Sequence, residues 1–307
     1  MDNYSDRLIS AIEKKGNACI IGLDPRIDMM PDFVENDSKE NNVESKITDV
    51  ITNFHKLVID QIADLVPAVK PQVAFYEQYG VAGMKSFENT VAYAKKKGLL
   101  VVVDAKRNDI GSTAEAYSNT FLGRTNIFGQ SKAIYDVDCI TVAPFLGEDS
   151  LMPFIKDCRE YGKGIFILVK TSNPGSVDLQ DLKSEGEEIY IRLAKMVNRL
   201  GKSLIGKKGY SSIGAVVGAT FPEEADVLRE IMKENYFLVP GYGAQGGSGK
   251  DVVNCFNVDN LGSIVNASRS ITYNFGDKSI SKDEFEKSVE DNTVQMINDI
   301  ESALKHK

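Results

Sequence analysis

Eight short runs of apolar residues, rich in Val and Ile, recur along the chain and alternate with stretches of helical periodicity. Unbroken runs of this kind, without alternation of apolar and polar residues, are typical of strands that are buried on both faces of a parallel sheet. The apolar runs span residues 18–23, 66–73, 99–103, 139–143, 164–169, 213–219, 236–239 and 263–265. Strands and helices alternating in this number predict a (β/α)₈ barrel, and a doubly wound open sheet is the alternative fold.

Helical spacing of apolar residues fills several of the intervals between these runs. Two polar segments, residues 35–45 after the first predicted strand and residues 173–187 after the fifth, are expected to be insertions or loops. No repeat, low-complexity tract or linker divides the 307 residues, so the whole chain, residues 1–307, is predicted to form a single α/β domain. The clearest helical patterns cover residues 4–12, 50–65, 189–204 and 285–304.

The composition restricts the chemistry that the chain can perform. With 36 basic and 44 acidic residues the net charge is −8, which disfavours general binding to nucleic acid or to an anionic membrane. The chain has 2 histidines, His55 and His306, so His-rich metal sites and most His-dependent hydrolysis are disfavoured. His55 lies in a helical pattern beside a Phe and is expected to pack there.

The cysteines and the N-terminal residues indicate a cellular compartment. No pair of cysteines has C-x-x-C spacing, so we expect buried, reduced thiols that act as small apolar side chains. The first residues lack the apolar run of a signal peptide, and the longest apolar runs are far too short to span a membrane. We therefore expect a protein of the reducing cytoplasm. The cysteines are Cys19, Cys139, Cys158 and Cys255.

The most informative segment is the charged cluster that follows the third apolar run. Asp104 and Lys106 are two residues apart, so on a strand they would point to the same side, and Asp109 follows where the chain leaves the strand. Lys70 lies in the neighbouring second run. Because an isolated buried charge is costly, two Lys and two Asp would form an alternating array with each Lys protonated and each Asp ionised. Such an array is either a catalytic centre or a salt-bridge network that closes the mouth of the barrel.

A glycine-rich segment, residues 241–247, follows the seventh run and formally matches the dinucleotide fingerprint G-x-G-x-x-G. Its position favours a phosphate site, because glycines such as Gly243 and Gly246 let backbone N–H groups approach an anion after strands seven and eight. Arg269, after the eighth run, adds a fixed charge with bidentate geometry. The alternatives are a dinucleotide site with Asp259 on the ribose, and a flexible turn beside a surface Arg.

Polar residues also stand at the ends of the first and fifth runs. Asp24 is placed either to accept hydrogen bonds from sugar hydroxyls or to cap a turn. Residues 170–174 combine small donors and acceptors that either read the edge of a heterocycle or form a turn. These positions matter because the functional residues of a (β/α)₈ barrel lie at the carboxyl ends of its strands.

Residues 104–113, Asp-Ala-Lys-Arg-Asn-Asp-Ile-Gly-Ser-Thr, closely resemble the signature of the orotidine 5′-phosphate decarboxylase family. The similarity extends over nearly the whole chain and is greatest to the longer bacterial subgroup, type 2. Together the matching segments are far more specific than the three-residue D-x-K core. The further segments are residues 22–26, 69–77, 171–174, 217–220 and 240–247.

The resemblance implies a (β/α)₈ barrel enzyme that converts orotidine 5′-phosphate to uridine 5′-phosphate (UMP) and carbon dioxide, the last step of de novo UMP synthesis. It implies no cofactor and no metal, and a homodimer with active sites at the interface. By position, Lys106 would protonate C6, and the family donates Asp109 across the interface. The charged tetrad would be Lys70, Asp104, Lys106 and Asp109. The other matches are Thr113 beside Asp109, Asp24 for ribose, Ser172 for the pyrimidine edge, and Gln245 and Arg269 for phosphate.

Two other functions fit parts of the same pattern. A sugar-phosphate decarboxylase or aldolase of the same superfamily also carries a D-x-K-x-x-D segment, but such enzymes need magnesium and acidic ligands where this chain has Lys70. A barrel that binds or senses a phosphorylated nucleotide without turnover would not require carboxylates beside an anion. Sensitivity to a chelator, and binding of UMP without consumption of orotidylate, would distinguish these alternatives.

Overall fold

The computed structural model describes residues 2–220, 222–243 and 246–307. In this part of the chain, eight parallel strands close into a barrel in chain order. The strands are β1 (Cys19–Leu23), β2 (Ala68–Pro71), β3 (Leu100–Arg107), β4 (Cys139–Val142), β5 (Gly164–Lys170), β6 (Ser211–Val217), β7 (Asn235–Val239) and β8 (Ser263–Ala267). The predicted barrel is confirmed, and the open-sheet alternative is wrong because β1 pairs with β8, with Cys19 opposite Val265.

Helices connect the strands and surround the barrel. The four helical patterns expected from the sequence correspond to α1, α3, α8 and α12 of the following set, and two of them, residues 50–65 and 189–204, extend three residues past the ends of α3 and α8. The helices are α1 (Tyr4–Lys15), α2 (Asp32–Asn36), α3 (Val43–Ile62), α4 (Val73–Glu77), α5 (Gly80–Lys96), α6 (Gly111–Phe121), α7 (Met152–Tyr161), α8 (Ile189–Gly201), α9 (Pro222–Ile231), α10 (Gly249–Val252), α11 (Arg269–Thr272) and α12 (Lys282–Lys305). Helix α12 begins at a capping box in which Ser281 and Glu284 satisfy each other's backbone amides.

Two strands differ in extent from their apolar runs. β2 ends at Pro71, which has no N–H for a strand ladder, and the chain turns into α4 within two residues. β3 continues beyond residue 103 and includes the charged cluster as far as Arg107. It can do so because a bulge restores its pairing with β4, placing Arg107 opposite Val142.

The two polar segments have different structures. Residues 35–45 comprise the end of α2, a short loop and the start of α3. Residues 173–187 contain a 3₁₀ turn, Pro174–Asp178, and most of a small hairpin formed by Lys183–Ser184 and Glu187–Glu188. The sequence did not predict a second hairpin, in which Thr125–Ile127 pairs with Gln130–Lys132 between α6 and β4. Other short 3₁₀ turns are Ile27–Met29, Glu148–Ser150, Lys202–Leu204 and Val253–Cys255.

The core consists of the barrel strands and the helix faces that pack on them. β1, β2, β4, β6, β7 and β8 are buried along their whole length, as their unbroken apolar runs predict. The four cysteines are buried and unpaired, as expected, and burial raises the pKa of Cys255 to about 12. Among the described helices, none has both the length and the apolar character needed to cross a membrane.

Candidate active site

A cavity of about 480 Å³ opens at the carboxyl ends of the barrel strands. This is the end at which βα loops place functional side chains in such barrels. Among the site residues predicted from the sequence, those that line the cavity are Asp24, Lys70, Asp104, Lys106, Ser172 and Arg269. Polar residues that line it but received no role from the sequence are Gln72, Thr141, Gln180, Tyr242, Asn266 and Ser268.

The Asp104 carboxylate is the point at which charged side chains converge. Its Oδ2 lies 3.2 Å from Lys70 Nζ and accepts a hydrogen bond from Gln72 Nε2 at 2.8 Å. Its Oδ1 lies 2.6 Å from Lys106 Nζ and accepts a hydrogen bond from the Thr141 hydroxyl at 2.9 Å. Each carboxylate oxygen therefore has one cationic and one neutral donor.

Burial and charge pairing determine the protonation states of this cluster. The side chains of Lys70 and Asp104 are only 6% and 13% exposed. Burial alone would raise the pKa of the Asp104 carboxyl, but the Lys70 and Lys106 ammonium groups hold that pKa well below its usual value. Burial alone would lower the pKa of Lys70, but Asp104 and Asp24 raise it above its usual value. Asp104 is thus ionised and Lys70 protonated at neutral pH.

A bulge in β3 places the Lys106 side chain. Between the pairs Val103–Ile140 and Arg107–Val142, β3 contributes three residues and β4 only one. Lys106 has a left-handed backbone with φ of 47°, a conformation that costs a residue other than glycine about 1–2 kcal/mol. Its side chain is 47% exposed and lines the cavity, so the ammonium group is accessible to a ligand.

Two buried acceptor oxygens in the cavity wall have no hydrogen-bond partner among the described residues. They are Asp24 Oδ1, directly after β1, and Asn266 Oδ1 on β8. The Tyr273 hydroxyl donates to the Asp24 carbonyl oxygen at 2.9 Å and so anchors the backbone at this point. Because a buried acceptor without a donor is costly, both positions fit a ligand that brings hydroxyl or N–H groups.

The segment after β5 forms another part of the wall. Gln180 folds back on Thr171, where its Oε1 accepts from the backbone N–H at 2.9 Å and its Nε2 donates to the hydroxyl at 2.8 Å. Ser172 packs closely against the chain that leaves β6, since a Cβ on Gly218 would lie 2.8 Å from the Ser172 nitrogen. Only glycine fits there, and this close approach holds Ser172 at the cavity.

Described residues of the glycine-rich loop after β7 form hydrogen bonds with one another. The Gly243 and Gly246 amides donate to the carbonyl oxygens of Gly247 and Gly243, both at 2.8 Å. The sequence predicts that these amides face an anion, and in this structure each donates to another residue of the same loop. Positive φ angles of 72° at Gly243 and 91° at Gly246 explain the need for glycine. Gln245 lies outside the described residues, whereas Arg269 lines the cavity as expected.

Asp109 and Thr113, like Gly243 and Gly246, do not line the cavity of their own chain. Asp109 Oδ1 accepts a hydrogen bond from the Ile110 amide at 2.8 Å, and Thr113 is exposed on the first turn of α6. Asp259, the ribose ligand of the dinucleotide alternative, is also outside the cavity and accepts a hydrogen bond from the Tyr210 hydroxyl at 3.0 Å. The described residues therefore do not support the dinucleotide alternative.

The sequence contains a weak signal for two of the residues that received no role. Thr141 is a polar residue within the apolar run of β4, and Gln72 follows Lys70 by two residues, the spacing that returns to the same side of a strand. Spacing alone could not show that both side chains bond to Asp104, since that contact depends on how neighbouring strands are aligned.

Proteins of one family match the chain over most of its length. A family model described as Orotidine 5′-phosphate decarboxylase / HUMPS family matches residues 45–280. The chain is 43% identical over 290 residues to the orotidine 5′-phosphate decarboxylase of Caldicellulosiruptor bescii, covering 94% of each protein. It is 44% identical over 273 residues to that of Rhodopirellula baltica, covering 89% of each.

The solved structure of Leishmania donovani OMP decarboxylase matches the fold with a TM-score of 0.72 at 25% identity, over 99% of each chain. The agreement thus covers the barrel as well as the sequence motifs. Because the family model and relatives of nearly equal length both match most of its residues, the chain belongs to the orotidine 5′-phosphate decarboxylase family.

Proposed function

We propose that the chain decarboxylates orotidine 5′-phosphate to UMP and carbon dioxide, the last step of de novo UMP synthesis, without a cofactor or metal. The observation that carries the proposal is the Asp104 carboxylate between two ammonium groups, Lys70 at 3.2 Å and Lys106 at 2.6 Å. Decarboxylation leaves an electron pair on carbon, and preorganised positive charge stabilises it where it develops. The four buried, unpaired cysteines fit an enzyme of the reducing cytoplasm.

The cavity wall offers partners for the sugar and the base of this substrate. Asp24, whose buried Oδ1 lacks a donor among the described residues, accepts from the ribose hydroxyls. Ser172 pairs with the edge of the pyrimidine. Hydrogen bonds to parts of the substrate that do not react contribute binding energy that orients the reacting carbon.

The phosphate group is assigned to the opposite end of the substrate from the reacting carbon. Arg269 lines the cavity and supplies a fixed positive charge with bidentate geometry. Gln245 joins it, as the family resemblance implies. Gly243 and Gly246 contribute amides only after their internal hydrogen bonds of 2.8 Å open, so phosphate binding is coupled to a rearrangement of the glycine-rich loop.

In the proposed step, the bond between C6 and the carboxylate carbon breaks, carbon dioxide leaves, and the electron pair stays on C6. Lys106 Nζ transfers a proton to C6 and becomes a neutral amine, which then takes a proton from water. Asp104, 2.6 Å away, pairs with the Lys106 ammonium group and holds it in position until that transfer. The Asp104 charge also opposes the substrate carboxylate more than the transition state, in which the carboxylate charge is leaving.

Lys70 favours this reaction over a magnesium-dependent reaction of a sugar phosphate. A divalent cation at Asp104 would need several oxygen ligands around it. Lys70 Nζ already lies 3.2 Å from Asp104 Oδ2, and Gln72 donates to the same oxygen at 2.8 Å. The ammonium group would repel a metal ion at this position, so the cluster fits an anionic carboxylate substrate better than a metal.

The proposed enzyme is a homodimer in which each chain completes the partner's active site. Asp109 and Thr113 do not line the cavity of their own chain. Apolar side chains are exposed after β3 and β4, among them Ile110, next to Asp109 in the chain, at 55% and Phe145 at 75% exposure. Exposed apolar groups of this kind favour association, and a second copy that covers them brings Asp109 and Thr113 towards a neighbouring cavity.

A spectrophotometric assay of the loss of orotidylate absorbance tests the proposal. We expect consumption of orotidine 5′-phosphate at the same rate with and without a metal chelator. Loss of activity in chelator would instead indicate the magnesium-dependent alternative. Binding of UMP without consumption of orotidylate would indicate a nucleotide sensor.

The substitution Lys106→Ala tests the assigned proton donor. We expect it to abolish turnover, because no ammonium group then faces C6, and to leave the affinity for UMP largely unchanged, as measured by calorimetry. Lys132→Ala, which removes an exposed Lys from the hairpin before β4, is the matched control and should keep wild-type turnover. Turnover that survives in Lys106→Ala would show that the proton donor is assigned wrongly.

A further inference from the structure

The Thr141 hydroxyl makes three hydrogen bonds, all of them to the segment of β3 that carries the charged cluster. Its oxygen accepts hydrogen bonds from the Ala105 amide at 3.0 Å and the Lys106 amide at 2.9 Å. Its proton goes to Asp104 Oδ1 at 2.9 Å. A hydroxyl has two lone pairs and one proton, so these three bonds use its whole capacity. Thr141 is 1% exposed, so water has little access to replace these bonds.

Two of these bonds give the backbone amides in the bulge of β3 a hydrogen-bond acceptor. In a regular ladder the amides of Ala105 and Lys106 would donate to backbone carbonyls of the neighbouring strands, but the register shift between Val103 and Arg107 removes them from the ladder. A buried amide without an acceptor destabilises a structure. Lys106 is also in the left-handed region, with φ of 47°, where long side chains are uncommon. A group outside the backbone must therefore stabilise this conformation. The Thr141 hydroxyl does so as the acceptor for the Ala105 and Lys106 amides.

One group thereby couples the backbone of Lys106 to the carboxylate of Asp104. Because both lone pairs of the Thr141 oxygen accept N–H groups, its proton can point only towards Asp104 Oδ1. That same oxygen lies 2.6 Å from Lys106 Nζ. A shift of the Thr141 hydroxyl would therefore move both the Lys106 backbone and the Asp104 carboxylate that pairs with the Lys106 ammonium group.

We propose that Thr141 is a positioning residue that holds the left-handed backbone at Lys106 and orients Asp104, so that the Lys106 ammonium group faces the cavity. Thr141 acts through these two residues and does not act on the substrate. The kinetic consequences rest on the proposed decarboxylase function. The geometric consequence, that the bulge depends on the hydroxyl, does not.

The substitution Thr141→Val retains the shape of the side chain and removes all three hydrogen bonds. Displacing a reacting group by about 1 Å is enough to lower a rate about 100-fold. We therefore expect kcat for orotidine 5′-phosphate to fall about 100-fold, with much smaller changes in KM and in the affinity for UMP. Thr141→Ser restores the hydroxyl and should keep kcat within about threefold of the wild type.

Thr293→Val is the matched control for loss of a buried threonine hydroxyl. Thr293 is fully buried in α12, where its hydroxyl donates to the Val289 carbonyl at 2.7 Å. We expect this variant to keep the wild-type kcat. If Thr141→Val retained kcat within about threefold, or if Thr141→Ser lost as much as Thr141→Val, the inference would be wrong.

A crystal structure of Thr141→Val tests the geometry without reference to any reaction. We expect Lys106 to leave the left-handed region or its Nζ to lose contact with Asp104, and an unchanged bulge would overturn the inference. If Thr141→Val does not fold, Thr141→Cys, whose thiol is a weaker donor and acceptor, should fold and show an intermediate displacement. A wild-type chain that fails to consume orotidine 5′-phosphate would refute the proposed function, and the crystal structure would still decide the role of Thr141.

Discussion

Asp104 organises the cavity at the scale of single residues. Its two carboxylate oxygens contact two ammonium groups and two neutral donors, which matches the roughly four lone-pair directions of a carboxylate. The Asp104 carboxyl stays ionised although its side chain is only 13% exposed. Because all of its acceptor positions are used, the Asp104 carboxylate remains ionised beside the Lys106 ammonium group.

The substitution Gln72→Met tests the neutral donor on Asp104 Oδ2. It removes the 2.8 Å hydrogen bond from Gln72 and keeps the length of the side chain. A hydrogen bond to a charged group contributes about 1.5–3 kcal/mol. Loss of this bond lets Asp104 turn towards Lys70, its remaining partner on Oδ2. We therefore expect kcat/KM to fall roughly tenfold. The measurement is a steady-state assay with orotidine 5′-phosphate.

Gln78→Met is the control for Gln72→Met. Gln78 is exposed after α4 and donates to the Phe75 carbonyl at 3.1 Å, away from Asp104. It should leave kcat/KM at the wild-type value. Equal values for the two variants would contradict a role of Gln72 in orienting the carboxylate.

At the scale of elements, a buried histidine joins three helices beside β2. His55 on α3 has its Nδ1 3.0 Å from the Tyr76 hydroxyl on α4 and 3.5 Å from the Thr90 hydroxyl on α5. Helix α4 begins one residue after Gln72, so this contact anchors the segment that follows Lys70. The expectation that His55 packs within the protein is confirmed, and burial lowers its pKa to about 3.

His55 makes the stability of the fold depend on pH. Between pH 6.5 and the folded-state pKa of about 3, the unfolded chain binds a proton at His55 that the folded chain does not. Lowering the pH in this window therefore favours unfolding. From pH 7.5 to pH 5.0 the contribution of His55 should reduce the free energy of unfolding by about 2 kcal/mol.

Urea denaturation of His55→Gln at the two pH values measures this contribution. The glutamine keeps an acceptor for Tyr76 and has no titratable group, so the variant should lose about 2 kcal/mol less than the wild type between pH 7.5 and 5.0. His306→Gln, which changes the exposed histidine near the end of α12, should retain the wild-type dependence. An identical dependence in wild type and His55→Gln would show that folding does not lower the pKa of His55.

At the scale of the whole molecule, the site is incomplete in one chain if Asp109 belongs to the tetrad. The cavity holds Lys70, Asp104 and Lys106, whereas Asp109 does not line it. The net charge of −8 coexists with local positive charge, since Arg269 and two lysines line the cavity. The position of Asp109 outside the cavity fits the proposed dimer, in which the two active sites share residues.

Mixed dimers test this sharing. In a dimer of one Lys106→Ala chain and one Asp109→Ala chain, one active site loses both residues and the other retains both. Random mixing of equal amounts should therefore recover about a quarter of the wild-type activity from two inactive variants. Recovery is measured after unfolding and refolding the mixture. No recovery, with mixed dimers confirmed by mass spectrometry, would place Asp109 in the active site of its own chain or outside any.

The sequence by itself determined the eight buried strands and the main charged residues, whereas closure of the sheet into a barrel followed only from the pairing of β1 with β8. Eight apolar runs without alternation specify buried parallel strands, because strand and helix formation depends on side chains within a few residues of each other. The Asp104–Lys106 spacing likewise predicts a charged pair at a strand end. The predicted end of β3 at residue 103 was wrong. The strand continues to Arg107, because a bulge allows it to pair again with β4.

Only the tertiary structure decided which polar groups meet. Lys70 and Thr141 are separated from Asp104 by 34 and 37 residues, and closure of the barrel aligns them on the same carboxylate. The amides of Gly243 and Gly246 bond within their own loop, which no residue spacing predicts. The physical reason is that a hydrogen bond requires donor and acceptor within about 3 Å, a condition set by strand register and not by local sequence.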